Sequence, residues 1–240
     1  MTFNIFDFVL KPWVGGIVIK EVAPGKWKIM TQKRYVKARY RDSYDPVNHH
    51  RDEIVLGLLS NPGEDVITCL LREIQEECGM PPGFKPLRIL GVSDADLFDD
   101  NRRVLALTSE QEYLEAVQVF AGDTPPDDGK WMNGRGDCTV RYEPSRIPFY
   151  GDWYYRPLCV VWNQGKPQHW IGPIFVVVVD PDFEPNYDGG DGEAGPHRWW
   201  WPDQLLETMS EAPDLFMGPV IPALELLCKK ITNSNFGMFM

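Results

Sequence analysis

Glu73, Glu76 and Glu77 stand at positions i, i+3 and i+4 of the run REIQEE, a spacing that brings three carboxylates together on one side of an α-helix. Like charges so placed weaken an isolated helix by roughly a few tenths of a kcal/mol per pair, so the arrangement calls for something positive. A divalent cation meets that need. Carboxylate oxygens are hard ligands suited to Mg²⁺ or Mn²⁺, which keep several waters and bind through a few carboxylates together with substrate phosphates. Arg72 lies one turn before Glu76 and is placed to hold that carboxylate in orientation. The ordinary alternative for such a run taken alone is a solvated acidic helix face.

The helix that positions these groups has clear bounds. Pro62-Gly63 marks a turn, Glu64 and Asp65 suit a helix N-terminus, and Gly79 followed by Pro81-Pro82 marks the stop. Ile67, Leu70, Leu71, Ile74 and Cys78 recur as one apolar stripe, which predicts that the glutamates point away from the core.

Taken whole, the segment from Gly57 to Met80 (GLLSNPGEDVITCLLREIQEECGM) resembles the signature of the Nudix hydrolases. The resemblance implies a Nudix-type α/β/α sandwich with a mixed central sheet, and hydrolysis of a nucleoside diphosphate linked to another group X. It implies Mg²⁺ or Mn²⁺ as cofactor, with Glu73, Glu76 and Glu77 as ligands. Glu73, Glu76 and Arg72 would be the catalytic set, and Glu64 a supporting carboxylate at the helix entrance. In one place the chain departs from the pattern. The family has a glycine six residues before the first glutamate, where this chain has Leu58, and the glycine comes one residue earlier as Gly57. Gly57 is therefore the expected source of a backbone carbonyl ligand, on a loop one residue longer.

Further context resembles the ADP-ribose and nucleotide-sugar pyrophosphatases of that family. Gln32-x-Arg34 matches a Q-x-R element at the end of the second strand, and Glu53 matches the start of an E-x-P-A-G element, with Val55-Leu56 in place of Pro-Ala. Arg34 and Glu53 are thus the expected substrate-binding pair. Arg198 to Leu206 (RWWWPDQLL) resembles the late strand and helix start of the family, and the acidic loop before it offers Glu193 as general base or further ligand, with Asp188 and Asp191 as alternatives. Two other activities fit the motif. One is a (d)NTP pyrophosphohydrolase; the other is a non-catalytic module that senses a nucleotide. Similar pyrophosphatases are commonly dimers, which makes a homodimer one expected assembly.

The 240 residues, 43% of them hydrophobic, suit one domain with an insertion. A net charge of −11 disfavours a nucleic-acid partner and leaves a small-molecule nucleotide as the expected one. Five cysteines without a C-x-x-C pair argue for buried free thiols, and the four histidines show no metal-ligand spacing. The start MTFNIFDFVL has no basic n-region or cleavage site and no run approaches a membrane span, so a cytoplasmic protein is expected.

Strands are expected at Trp13 to Ile19 and Lys26 to Thr31, joined at Pro24-Gly25, and at Leu87 to Val92. Cys159 to Trp162 and Ile174 to Val179 form a further pair, the second apolar enough to lie at the sheet centre. Pro222 to Ile231 is amphipathic and supplies a late helix. Between them, about residues 98–155 read as a long insertion, with a helix expected at Ser109 to Ala121 and aromatics such as Trp131 and Tyr142 available for packing or base stacking.

Overall fold

The computed structural model describes residues 10–35, 49–59, 66–92, 130–132, 138–142, 157–163, 169–190, 192–233 and 236. Glu64, the expected helix at Ser109 to Ala121 and most of the expected insertion lie outside them. The elements are β1 (Leu10–Ala23), β2 (Lys26–Arg34), β3 (Asp52–Glu53), β4 (Val55–Leu58), α1 (Val66–Glu77), β5 (Arg88–Ile89), β6 (Lys130–Met132), β7 (Cys138–Tyr142), β8 (Cys159–Asn163), β9 (His169–Val179), β10 (Ala194–Trp200), α2 (Pro202–Glu211) and α3 (Ile221–Thr232).

All ten strands join one mixed sheet in the order β10-β2-β1-β9-β8-β7-β6, with β3 on β2, β4 on β1 and β5 on β9. β1 and β9 run parallel and the other pairs are antiparallel. The expected hairpin of β1 and β2 turns at Gly25, whose φ of 70° suits glycine. Beyond the hairpin, β1 divides its edge. Its first half pairs with β4 from Trp13 to Gly16, and its second half pairs with β2 from Ile19 to Ala23. This fork brings β4 alongside the helix that follows it.

β9 alternates its side chains between two apolar layers, as a central strand must. Phe175, Val177 and Val179 pack with Val14, Val18, Met30 and the α1 stripe of Ile67, Leu70, Leu71, Ile74 and Cys78. Ile174, Val176 and Val178 pack on the other face with Ile17, Ile29 and with Leu205, Met209, Leu224 and Leu227 of α2 and α3. The result is the expected α/β/α sandwich. Twelve residues are marginal as an isolated helix. Burying the α1 stripe, at roughly 1.5 to 3 kcal/mol per large apolar side chain, is what holds it. Gly16 permits the close approach, since a methyl there would come within 2.6 Å of Leu70 Cδ1.

One expectation changes. The strand expected over Leu87 to Val92 shortens to Arg88–Ile89, because Gly91, at φ 83°, turns the chain out of the sheet. Within the expected insertion, β6 and β7 form an antiparallel hairpin that continues the same sheet through β8. None of the described helices is long and apolar enough to cross a membrane.

Candidate active site

The site is built on the C-terminal half of α1 and the strand that runs beside it. The stripe that buries Leu70 and Ile74 sets the rotation of the helix, and that rotation turns Glu73 toward β4. Gly57 lies opposite. A Cβ added to Gly57 would overlap Cγ, Cδ and Oε1 of Glu73, so the backbone of β4 passes against this carboxylate at the one residue that permits it.

Arg72 organises the outer carboxylates. Its Nη1 donates to Glu73 Oε1 at 2.6 Å and to Glu76 Oε2 at 3.0 Å, and its Nη2 donates to the Leu58 carbonyl at 3.2 Å. The expected Arg72–Glu76 pair is present, and Glu73 is held more closely still. Burial pushes the Glu73 carboxyl up to about 7, with the Arg72 guanidinium opposing and the charges of Glu76 and Glu193 adding to the rise.

Glu77 does not point away from the core as the periodicity predicts. It is only 3% exposed. Its Oε2 accepts a hydrogen bond from Gln32 Nε2 at 2.7 Å and one from the Leu56 backbone N–H at 3.3 Å. Helical spacing assigns a direction around the axis but cannot foresee that β2 and β4 supply donors there, which makes burial of a carboxylate tolerable. The Glu77 pKa is raised well above the usual carboxylate range, first by burial and then by the charges of Glu53 and Glu73, against the Gln32 hydrogen bond.

Glu53 pairs with Gln32 across β3 and β2 and is itself buried. Arg34 Nη1 reaches its Oε2 at 3.0 Å. Gln32 and Arg34 sit two residues apart on β2 and therefore share a face, so the Q-x-R spacing itself brings both to the inner carboxylates. Sequence reasoning used Gln32 as context for Arg34 and missed it as the donor that fixes Glu77. The remaining oxygen of Gln32, Oε1, is buried without a hydrogen-bond partner among the described residues.

The acidic loop before β10 is fastened to the end of α1. The helix closes at Gly79, in the left-handed region at φ 60°, and the Met80 N–H bonds back to the Gln75 carbonyl at 3.0 Å. Asn186 N–H then caps the Cys78 carbonyl at 2.8 Å. Buried Lys20 donates to Glu184 at 2.7 Å and to the Phe183 carbonyl at 3.0 Å, and His197 and Trp199 of β10 bond the other Glu184 oxygen. So anchored, the loop delivers Glu193, whose carbonyl accepts from the Tyr35 N–H at 2.6 Å and whose charge is felt at Glu73.

Glu73, Glu76, Arg72 and Gly57 therefore meet in one cluster, with Glu77, Gln32, Glu53 and Arg34 directly behind it and Glu193 at its edge. Among the described residues no three His, Cys, Asp or Glu side chains close into a ready-made cage. Arg72 draws Glu73 and Glu76 together, while Gln32 turns Glu77 inward. The donor set nevertheless suits a hard divalent cation. Five carboxylates face two guanidinium groups here, and burial, with the neighbouring carboxylates adding to it, raises Glu73 and Glu77. Cys69, Cys78, Cys159 and Cys228 are buried thiols outside any disulfide, as expected.

No family model matches the chain, and no curated protein matches its sequence. Solved structures do. A Nudix hydrolase from Alicyclobacillus acidocaldarius is 14% identical, with 96% of each chain covered and a TM-score of 0.50. The Nudix domain of Shewanella oneidensis NrtR, in complex with ADP ribose, is 8% identical over 96% of this chain and 94% of that one, at a TM-score of 0.45. The C. elegans Ap4A hydrolase in a binary complex is 11% identical over 95% of this chain and 99% of that one, at a TM-score of 0.41. The fold is that of the Nudix hydrolases.

Proposed function

We propose that this chain is a Nudix hydrolase that cleaves a phosphoanhydride bond in a nucleoside diphosphate linked to another group X, of the nucleotide-sugar or ADP-ribose type. The observation that carries the reading is the convergence of Glu73 and Glu76 under Arg72, against the one backbone position, Gly57, that lets Glu73 lie there.

Mg²⁺ or Mn²⁺ would be held by Glu73, Glu76, Glu77 and the Gly57 carbonyl, and when bound would acidify a water and withdraw charge from the phosphate oxygens. The chain's own residues supply orientation and proton transfer. Arg72 keeps Glu73 and Glu76 from splaying apart. Arg34, 28% exposed and braced by Glu53, presents a planar fork to the diphosphate, for which Arg suits better than Lys. Glu193 stands at the edge of the cluster as the general base for the attacking water. Glu64 is proposed, from the resemblance alone, as a supporting carboxylate. With a nucleotide sugar the products are a nucleoside monophosphate and phosphorylated X; with a (d)NTP the second product is pyrophosphate.

The test is product release from ADP-ribose, nucleotide sugars, dinucleoside polyphosphates and (d)NTPs with Mg²⁺, Mn²⁺ or EDTA, on wild type and Glu76→Gln. Glu76 is 44% exposed, so the variant keeps the fold. Metal-dependent turnover that falls by orders of magnitude in the variant is expected. Nucleotide binding without turnover in the wild type refutes catalysis and makes the chain a sensing module.

A further inference from the structure

The segment between Gly57 and α1 is one residue longer than the pattern it resembles, and the carbonyl of Leu58, the residue after that glycine, is held by two side chains of the helix. We propose that Cys69 is a positioning residue which, together with Arg72, captures the Leu58 carbonyl and so holds the guanidinium on Glu73 and Glu76. The inference rests on the proposed function and deepens it by naming a residue that acts on the carboxylate cluster through Arg72.

The contacts close a triangle. Cys69 is fully buried on α1, three residues before Arg72 and therefore its neighbour on the helix surface. Its thiol donates to the Leu58 carbonyl at 3.4 Å, and its sulfur accepts from Arg72 Nη2 at 3.4 Å. The same Nη2 donates to the Leu58 carbonyl at 3.2 Å. A thiol is a weak donor and a weak acceptor. Here it acts as both, and the charge on the guanidinium strengthens the bond it receives. Because the guanidinium is a rigid planar fork, fixing Nη2 also fixes Nη1, which serves Glu73 at 2.6 Å and Glu76 at 3.0 Å.

A second consequence falls on β4. The strand ends at Leu58, opposite Trp13 of β1, and capture of its carbonyl ties that end to α1. Gly57, where a Cβ would overlap Glu73, is the adjacent residue. Cys69 otherwise packs in the apolar layer with Ile67 and Leu70. An apolar side chain would fill that space equally well and supply neither bond, so the polarity of residue 69 is what the triangle uses.

The experiment compares Cys69→Ser, which keeps a donor and an acceptor, with Cys69→Val, which keeps bulk and loses both, and repeats Cys69→Val in an Arg72→Ala background. The readouts are kcat and KM on a substrate that the wild type hydrolyses, and the Mn²⁺ affinity of the EDTA-treated protein from the paramagnetic resonance of free Mn²⁺, at a temperature where circular dichroism shows every variant folded. Cys69→Val should lower kcat by about 3- to 10-fold with KM little changed and weaken Mn²⁺ binding by a similar factor, while Cys69→Ser stays within about twofold of wild type. In the Arg72→Ala background, Cys69→Val should cost less than about twofold more, because the group through which residue 69 acts is gone. That cycle needs only the valine variant, so it remains decisive if a buried serine lowers stability. Valine equal to or better than serine among folded variants, or losses that multiply in the double variant, overturns the proposal. A wild type that binds Mn²⁺ but hydrolyses nothing refutes the functional reading alone, and the Mn²⁺ affinities of the variants then decide the role of Cys69; a wild type that does neither overturns both.

Discussion

Glu73 is a residue whose ionisation opposes folding in the metal-free protein. Burial and its acidic neighbours raise its pKa from 4.5 to about 7. The folded state therefore holds this proton more tightly than the unfolded chain. The associated stability is complete below pH 4.5 and is lost as pH rises through about 7. Between pH 5.5 and 8 the linkage amounts to about 2 kcal/mol. Glu73→Gln keeps the shape and removes the titration, so the difference in stability between wild type and variant should shift by that amount across this interval. With a urea m-value of about 2.5 kcal/mol/M, the midpoint of the wild type should fall relative to the variant by about 0.8 M. The assay is urea unfolding followed by circular dichroism at both pH values in EDTA. At pH 8, MgCl₂ at ten times its Kd should return about 1.4 kcal/mol to the wild type and less to the variant. A midpoint difference that does not change with pH would refute the argument that burial, against the pull of Arg72, raises Glu73.

Gly57→Ala should depress turnover by at least about tenfold with little change in secondary structure, because the methyl displaces Glu73 from the cluster; wild-type kcat in a folded variant contradicts the close approach. Gln32→Leu leaves the buried Glu77 oxygen without its side-chain donor and should destabilise the protein by about 1 to 3 kcal/mol, which thermal or urea unfolding measures; an unaltered midpoint means that Gln32 does not orient Glu77.

The local signals in this chain were strong enough to read without coordinates. Pro24-Gly25 and Gly79 punctuate the chain where φ must turn positive, the α1 stripe repeats at helical spacing, and the apolar run from Ile174 to Val179 has no polar side to expose. Each is a property of neighbouring residues, so each survives in sequence. The spacing of Arg72 to Glu76 likewise lies within one helical turn, and their contact was legible for that reason.

What tertiary structure decided is which of these groups meet across distance in the chain. Glu77 is oriented by Gln32, 45 positions away, and Glu193 is carried to Glu73 by a loop fastened to β1, α1 and β10. The shift of glycine from the Leu58 position to Gly57 looked like a defect in the motif, yet the β1–β4 register still sets Gly57 against Glu73. Sequence alone thus marked the main strands and the two flanking helices and pointed to a kind of chemistry, since periodicity and charge are local. Which carboxylate is buried and which is presented depended on strand register and helix rotation, and those are set by the packed sheet.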